Sequence, residues 1–342
     1  MRTPYVPQKI LLTGASGAVG RSLLPALSAL EAPIRLLAHR TPLGSLLGRP
    51  GREARAGDLA RAATLRGVAD GCDVIVHAAA RTGFGRLARD RQRRVNVDGT
   101  EHLLREAKGA GVRVFVLIGY AGTIQERDDR ERDVDETTPP EGRYEAEYVR
   151  MKCEAEALVL ESNASGGMRT LVVSPGVLIH RDVPTLLGGL VGLFVAGELP
   201  FRLLEQVWLA TSDAADVARC VAAAVARGEG GRRYFATGEC LRLGELYRVL
   251  AARSGVAAPR RRLPDLLVEE LGLLVPVLPR GSFLRQLVLP RDLVRHLERL
   301  APVSNVRTRS ALSFVPTPLG ETLDAVLAPR ETRSEGRVSL RL

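Results

Sequence analysis

An α/β fold is predicted, a doubly wound parallel sheet with a smaller, mostly helical C-terminal substrate lobe. Three observations predict it. Continuous apolar runs alternate with helix-patterned stretches through the first half of the chain, which reads as parallel strands covered on both faces. A glycine-rich stretch, Thr13-Gly14-Ala15-Ser16-Gly17-Ala18-Val19-Gly20, stands where the first apolar run becomes the first helix. After residue 180 the alternation gives way to helical pieces broken by Pro259, Pro264, Pro276, Pro279, Pro290 and Pro302.

In chain order, Lys9 to Leu12 opens as a strand and Arg21 to Leu27 has helical spacing. Ile34 to Ala38 is the second strand, residues 58–70 read as helical, and Asp73 to His77 is a further buried strand. Asn96 to Lys108 is helical and ends at Gly109 and Gly111. Val114 to Ile118 is a strand, Glu141 to Glu161 a long helix, and Leu171 to Val173 a strand closed by Ser174-Pro175-Gly176. Asp213 to Arg227 is amphipathic, and Arg233 to Ala236 is a short strand. This divides the chain into a nucleotide-binding domain, 1–180 completed by 207–240, and a lobe of 181–206 and 241–330. A polar tail, 331–342, is expected to fray.

The chain has 342 residues, 45% of them hydrophobic, and a net charge of +10. The cations are nearly all Arg, and Lys occurs only at Lys9, Lys108 and Lys152. The Arg residues are scattered among acids, so charge alone argues for no nucleic-acid partner. Two runs, Arg86, Arg89, Arg91, Arg93, Arg94 and Arg260-Arg261-Arg262, read as solvated faces or as attractors of an anionic substrate. Cys72, Cys153, Cys220 and Cys240 have neither metal-ligand spacing nor a disulfide framework. No metal is expected, and a cytoplasmic location is. The apolar stretch Leu186 to Gly197 is too short for a transmembrane helix.

The glycines carry a mechanism. Gly14, Gly17 and Gly20 permit close backbone approach, and the helix start offers the N–H groups around Ser16, Ala18 and Val19 to a phosphate. The second strand ends in His39-Arg40, with no acid until Glu53. A basic strand end accommodates the 2′-phosphate of NADP(H), whereas NAD(H) calls for an acid there. Asp58, after Gly57 and before the expected helix, reads as a helix N-cap or as a partner of the adenine amino group, with Leu59 packing beside it. Ala78, Ala79 and Ala80 follow His77 and leave room for a cofactor against the backbone. His77 itself reads as a packed strand residue.

Tyr148 and Lys152 stand four residues apart on one helix face. A phenol beside an ammonium is suited to proton transfer, because the cation favours phenolate. In a chain that otherwise uses Arg, the choice of Lys152 points to a compact charge for ribose hydroxyls.

The glycine stretch, Gly57-Asp58-Leu59, His77-Ala78-Ala79-Ala80, Asn96-Val97-Asp98-Gly99-Thr100, Tyr148 with Lys152, and Ser174-Pro175-Gly176 occur in the order found in extended short-chain dehydrogenases/reductases. The chain resembles that family over residues 8–328, and its dihydroflavonol-reductase and 3β-hydroxysteroid-dehydrogenase branch in particular. The resemblance implies a Rossmann-type fold and hydride transfer between NADP(H) and a ketone or secondary alcohol. It makes Tyr148 the general acid/base and Lys152 the ribose ligand, puts Pro175 and Val177 beside the cofactor, and gives Asn96 either a proton-relay or a helix-capping role. It also implies a monomer or homodimer.

One departure stands out. The family places a Ser or Thr after the fifth strand, where this chain has Gly119-Tyr120. Three readings compete: Tyr120 supplies the hydroxyl, Thr123 does, or the third member is lost. The expected function is an NADP(H)-dependent oxidoreductase acting on a hydrophobic small molecule, with Leu186 to Phe194 and Leu263 to Leu289 lining the pocket. The alternatives are a sugar-nucleotide epimerase or dehydratase with bound NAD, and a non-catalytic NADP(H) sensor or scaffold.

Overall fold

The computed structural model describes residues 3–84, 89–164, 167–179, 186–275 and 288–328. Its elements begin β1 (Ile10–Thr13), α1 (Ala18–Ser28), β2 (Ile34–Ala38), β3 (Arg52–Ala56) and β4 (Val74–His77). They continue with α2 (Arg89–Arg93), α3 (Gly99–Gly109), β5 (Val114–Ile118), α4 (Gly122–Gln125), α5 (Glu147–Glu161) and β6 (Arg169–Ser174). Then come β7 (Val177–Ile179), α6 (Leu186–Val195), β8 (Trp208–Asp213), α7 (Ala214–Arg227), β9 (Arg232–Phe235), β10 (Cys240–Arg242), α8 (Leu243–Ser254) and α9 (Asp265–Leu271). Helices Arg291–Glu298, Val306–Leu312 and Leu319–Leu327 follow.

Seven parallel strands form the main sheet in the order β3-β2-β1-β4-β5-β6-β9. Successive strand residues point to opposite faces. Ile10 and Leu12 therefore pack with Leu23, Leu27, Val217 and Val221 of α1 and α7. Leu11 packs on the other face with Leu103, Ala107, Ala155 and Val159 of α3 and α5. Burial on both sides is why these strands read as unbroken apolar runs. The order reverses between β1 and β4, the switch point at which ligands bind in such sheets.

Several elements differ from the sequence expectation. Strand β3 has only charged and Ala residues and is mostly exposed. As a polar edge strand it carries no hydrophobic signature. Residues 58–70 hold only a short 3-10 turn, Ala62–Leu65, because Gly67 and Gly71 take φ +67° and +71°. The expected long helix starts at Glu147, after Ala146 in extended conformation, and the 96–108 helix begins instead as a π-turn, Arg94–Asp98. Strands β7, β8 and β10 form a second sheet, with β8 parallel to β7 and antiparallel to β10.

That second sheet joins a separate apolar cluster. Leu187, Val191 and Phe194 of α6 are buried in it with Leu246, Tyr247, Leu250, Leu293 and Leu297. Those α6 side chains, expected to line a pocket, are core residues instead, with Phe194 stacked on Tyr247 at 6.1 Å. Leu263 and Leu289 pack half-buried on the same cluster. Residues 276–287 of the other expected wall, the tail from 329 and Arg86 lie outside the described residues. Among the described residues, no helix is long and apolar enough to cross a membrane, and no three His, Cys, Asp or Glu side chains gather as metal ligands.

Candidate active site

The loop after β1 is tightly cradled. Gly14 takes φ +74°, and a Cβ there would stand 2.6 Å from the Ala79 nitrogen. A Cβ on Gly20 would stand 1.9 Å from the Gly14 carbonyl oxygen. These glycines let the loop lie against both the loop after β4 and the first turn of α1. Gly17 enters α1 extended, with no side-chain cap and no acid in the first turn. The N–H groups of Ala18, Val19 and Gly20 lack helical partners. With the helix dipole behind them they suit an anion, so the cradle fits the phosphates of a dinucleotide. The Ser16 carbonyl is held by Arg21 Nε at 3.2 Å.

His39 and Arg40 are exposed at the end of β2. His39 Nε2 lies 3.3 Å from Asp58 Oδ2, and Asp58 accepts the Ala60 N–H at 3.0 Å. Asp58 thus caps a tight turn. Leu59 is buried under Gly99, where a Cβ would approach the Leu59 Cβ to 2.8 Å.

His77 is fully packed, and its hydrogen bonds define its tautomer. The Thr100 hydroxyl donates to the Asn96 carbonyl at 2.7 Å, so it accepts from His77 Nε2 at 3.1 Å. His77 Nδ1 then accepts from the Thr13 hydroxyl at 2.7 Å, which accepts the Ala79 N–H at 3.1 Å. Each hydroxyl has one proton to give, which orients the whole chain. Burial first, and the Lys152 charge second, push the His77 pKa down to about 3. His77 is therefore a neutral clamp between β1, β4 and α3.

Ala78 and Ala79 are half-buried and Ala80 exposed. The Asn96 side chain accepts the Arg81 N–H at 2.7 Å and donates to the Arg81 carbonyl at 3.0 Å. Both ends of the amide are spent pinning the loop after β4, and the capping role expected for Asn96 is not observed. Pro175 is buried and its carbonyl accepts the Ala121 N–H at 2.8 Å. Val177 opens β7 and packs on the second apolar cluster.

On α5, Tyr148, Lys152 and Glu156 recur at helical spacing. Among the described residues no group hydrogen-bonds to the Tyr148 hydroxyl. Its ring lies edge-to-face with Phe84 at 5.5 Å and tilted to Tyr120 at 6.4 Å. Burial pushes its pKa up to about 12, and Lys152 has no part in that shift. Lys152 instead donates to the Ile118 carbonyl at 2.6 Å, at the end of β5. Burial draws its own pKa down to about 8, opposed by the Glu156 charge. Tyr144, one turn before Tyr148, spends its hydroxyl on the Thr123 carbonyl and Cys153.

Glu156, fully buried, explains the departure at Gly119-Tyr120. It accepts the Tyr120 N–H at 3.1 Å and the Thr123 hydroxyl at 3.2 Å, and pairs with Arg233 Nε at 3.1 Å. A Cβ on Gly119 would come within 2.4 Å of Glu156 Oε1 and 2.5 Å of Ser174 Oγ. A side chain at 119 would force that carboxylate away from the groups that hold it. The one Thr123 hydroxyl proton is shared between Glu156 and the Tyr120 carbonyl at 2.8 Å, and the residue has no exposed surface. Its hydroxyl is thus engaged with Glu156, whereas the Tyr120 ring lies beside Tyr148.

Phe84, Glu126, Glu156 and His296 at this site escape a reading of the sequence. His296, from the helix Arg291–Glu298, meets the Tyr120 hydroxyl through Nε2 at 3.0 Å and Glu126 through Nδ1 at 2.6 Å. Phe84 stacks on His296 at 6.1 Å. A separation of 170 residues joins Glu126 to His296, and no motif spans it.

The comparisons with known proteins agree with this architecture. The family model described as the 3-beta hydroxysteroid dehydrogenase/isomerase family matches residues 11–178. The chain is 31% identical over 260 residues to a Stigmatella aurantiaca protein, 4-hydroxy-2-methyl-3-oxo-4-farnesyl-3,4-dihydroquinoline-1-oxide ketoreductase, covering 75% of this chain and 76% of that one. It is 28% identical over 323 residues to sterol demethylase protein B of Methylococcus capsulatus, covering 90% and 93%. Among solved structures, that of gox2253 aligns with a TM-score of 0.76 at 27% identity, covering 94% of this chain and 96% of that one. In fold, motif order and sequence, this chain belongs to the 3-beta hydroxysteroid dehydrogenase/isomerase family of the extended short-chain dehydrogenases/reductases.

Proposed function

We propose that the protein is an NADP(H)-dependent oxidoreductase acting on a ketone or secondary alcohol of a hydrophobic small molecule. The observation that carries this reading is the Tyr148 phenol, without a hydrogen-bond partner among the described residues, one helical turn from Lys152 and beside the carboxyl ends of the main-sheet strands. A bound nicotinamide supplies or takes the hydride there. Tyr148 gives a proton to the substrate oxygen in reduction and takes it back in oxidation. Lys152, anchored on the Ile118 carbonyl, holds positive charge near the phenol's helix face and offers its remaining protons to ribose hydroxyls. The Tyr148 pKa of about 12 describes the protein alone, and a cation drawn toward the phenol lowers it.

The choice of NADP(H) rests on the β2 end. Arg40 is exposed with no ion-pair partner among the described residues, and His39 stands next to it. The hydrophobic substrate class is supported by the two relatives, whose names concern a farnesyl-bearing quinoline oxide and a sterol. Phe84, Tyr120 and Tyr148 give the site an aromatic wall of matching character.

NADPH oxidation across a panel of hydrophobic ketones tests the assignment. Tyr148→Phe abolishes turnover and leaves nucleotide binding intact; undiminished turnover refutes the reading. Arg40→Asp lowers kcat/KM for NADPH about tenfold to a hundredfold, the worth of one charge-assisted hydrogen bond, and spares NADH. Mass spectrometry of nucleotide released from the purified protein separates this reading from an epimerase or dehydratase retaining NAD.

A further inference from the structure

Glu126, His296 and Tyr120 form a buried line that ends beside Tyr148. The first two have no exposed surface at all. The other Glu126 carboxylate oxygen accepts the Glu145 N–H. The segments are tied together by the Glu126–Leu300 bridge and by the Arg127 N–H donating to the Arg299 carbonyl at 2.9 Å. The C-terminal lobe thereby delivers an imidazole to the Tyr120 phenol. Other charged groups around it are committed elsewhere. Arg295 meets Glu269 at 2.7 Å, and Arg299 meets Asp128 at 2.8 Å and Glu145 at 3.3 Å.

A phenol has one proton to donate, and this decides what Tyr120 presents to a substrate. If the Glu126–His296 pair holds a single proton, it lies between Nδ1 and the carboxylate. Nε2 is then bare, and the Tyr120 hydroxyl donates to it. If the pair holds two protons, Nε2 carries one of them wherever the inner proton sits across the 2.6 Å contact. Nε2–H then donates to the Tyr120 oxygen, and the phenol proton is released toward the site.

We propose that Glu126 and His296 are positioning residues that turn Tyr120 into the second hydrogen-bond donor to the substrate oxygen, in place of the hydroxyl this family keeps after the fifth strand. The inference rests on the oxidoreductase reading above, with Tyr148 as the acid. Ketone reduction uses Tyr120 only while the pair holds two protons, so its contribution fades as pH rises.

The test compares four proteins with a ketone substrate and NADPH over a range of pH: wild type, Tyr120→Phe, Glu126→Gln, and the double variant. Lys152 and Tyr148 titrate in all four, so ratios isolate the relay. At low pH, wild type exceeds Tyr120→Phe in kcat by roughly 10²-fold, the cost of losing one donor aimed at developing charge, with little change in KM. That ratio falls toward one as pH rises. In Glu126→Gln the amide oxygen keeps the Glu145 N–H and the amide nitrogen donates permanently to Nδ1. Nε2 therefore stays protonated, and the ratio of Glu126→Gln to the double variant no longer depends on pH. Nitrogen NMR of labelled histidine supplies a readout independent of rate: His296 Nε2 loses its proton over the same pH range in wild type and not in Glu126→Gln. A Tyr120→Phe enzyme with wild-type kcat, or a wild-type to Tyr120→Phe ratio constant with pH, overturns the proposal while an inactive Tyr148→Phe leaves the oxidoreductase reading standing. Full activity in Tyr148→Phe overturns that reading instead.

Discussion

Replacing Lys152 by Met is expected to make the fold more stable at pH 7 while removing the cation the proposed chemistry uses. Lys152 is 5% exposed, and burial draws its pKa from 10.5 to about 8 even with Glu156 opposing. That gap corresponds to about 3 kcal/mol against folding while the side chain is charged. Its bond to the Ile118 carbonyl returns about 1 kcal/mol. Met, an unbranched apolar chain one atom shorter, loses both contributions, for a net gain of about 2 kcal/mol. The sign with pH follows from proton counting. The unfolded chain keeps this proton up to about pH 10.5 and the folded chain only to about pH 8. Between those values the unfolded state binds more protons, so wild-type stability rises with pH. The Met variant lacks that rise. Its advantage is full below about pH 8 and shrinks above it. Urea denaturation followed by the fluorescence of Trp208, the single tryptophan, measures both proteins at neutral and at alkaline pH. A Met variant less stable than wild type at pH 7, or a difference identical at the two pH values, would refute the reasoning.

Gly20→Ala drives a Cβ into the Gly14 carbonyl; a loss of about 2–4 kcal/mol and of nucleotide binding is expected, read by thermal melts with and without NADPH. Gly119→Ser would restore a hydroxyl near the family's position yet collide with Glu156 and Ser174. It should cost about 1–3 kcal/mol without raising kcat, and a gain in kcat at unchanged stability would contradict the account of Gly119. Glu156→Gln leaves the half-buried Arg233 without its counter-charge and should cost about 3–5 kcal/mol in chemical denaturation. His77→Leu removes the acceptor of the Thr13 hydroxyl proton and the donor to the Thr100 oxygen. About 2–4 kcal/mol should be lost, with nucleotide affinity falling only as the loops after β1 and β4 loosen.

Local pattern carried much of this molecule. The strands β1, β2, β4, β5 and β6 were legible because burial on both faces makes most of their residues apolar. The glycine loop was legible because backbone approach at Gly14 and Gly20 admits no side chain. Tyr148 and Lys152 were legible because helical spacing alone puts them on one face. Strand β3 was not, since a polar edge strand is defined by its neighbour rather than by its own residues. The tertiary structure decided the rest. It turned Leu187, Val191 and Phe194 from expected pocket lining into core. It spent Asn96 on the Arg81 backbone and Thr123 on Glu156. It brought His296 and Glu126 to Tyr120 from distant parts of the chain. The physical reason is range. Periodicity and turn chemistry act over a few residues and leave a local trace, whereas a hydrogen bond across 170 residues exists only once the C-terminal lobe has packed against the segment that follows β5.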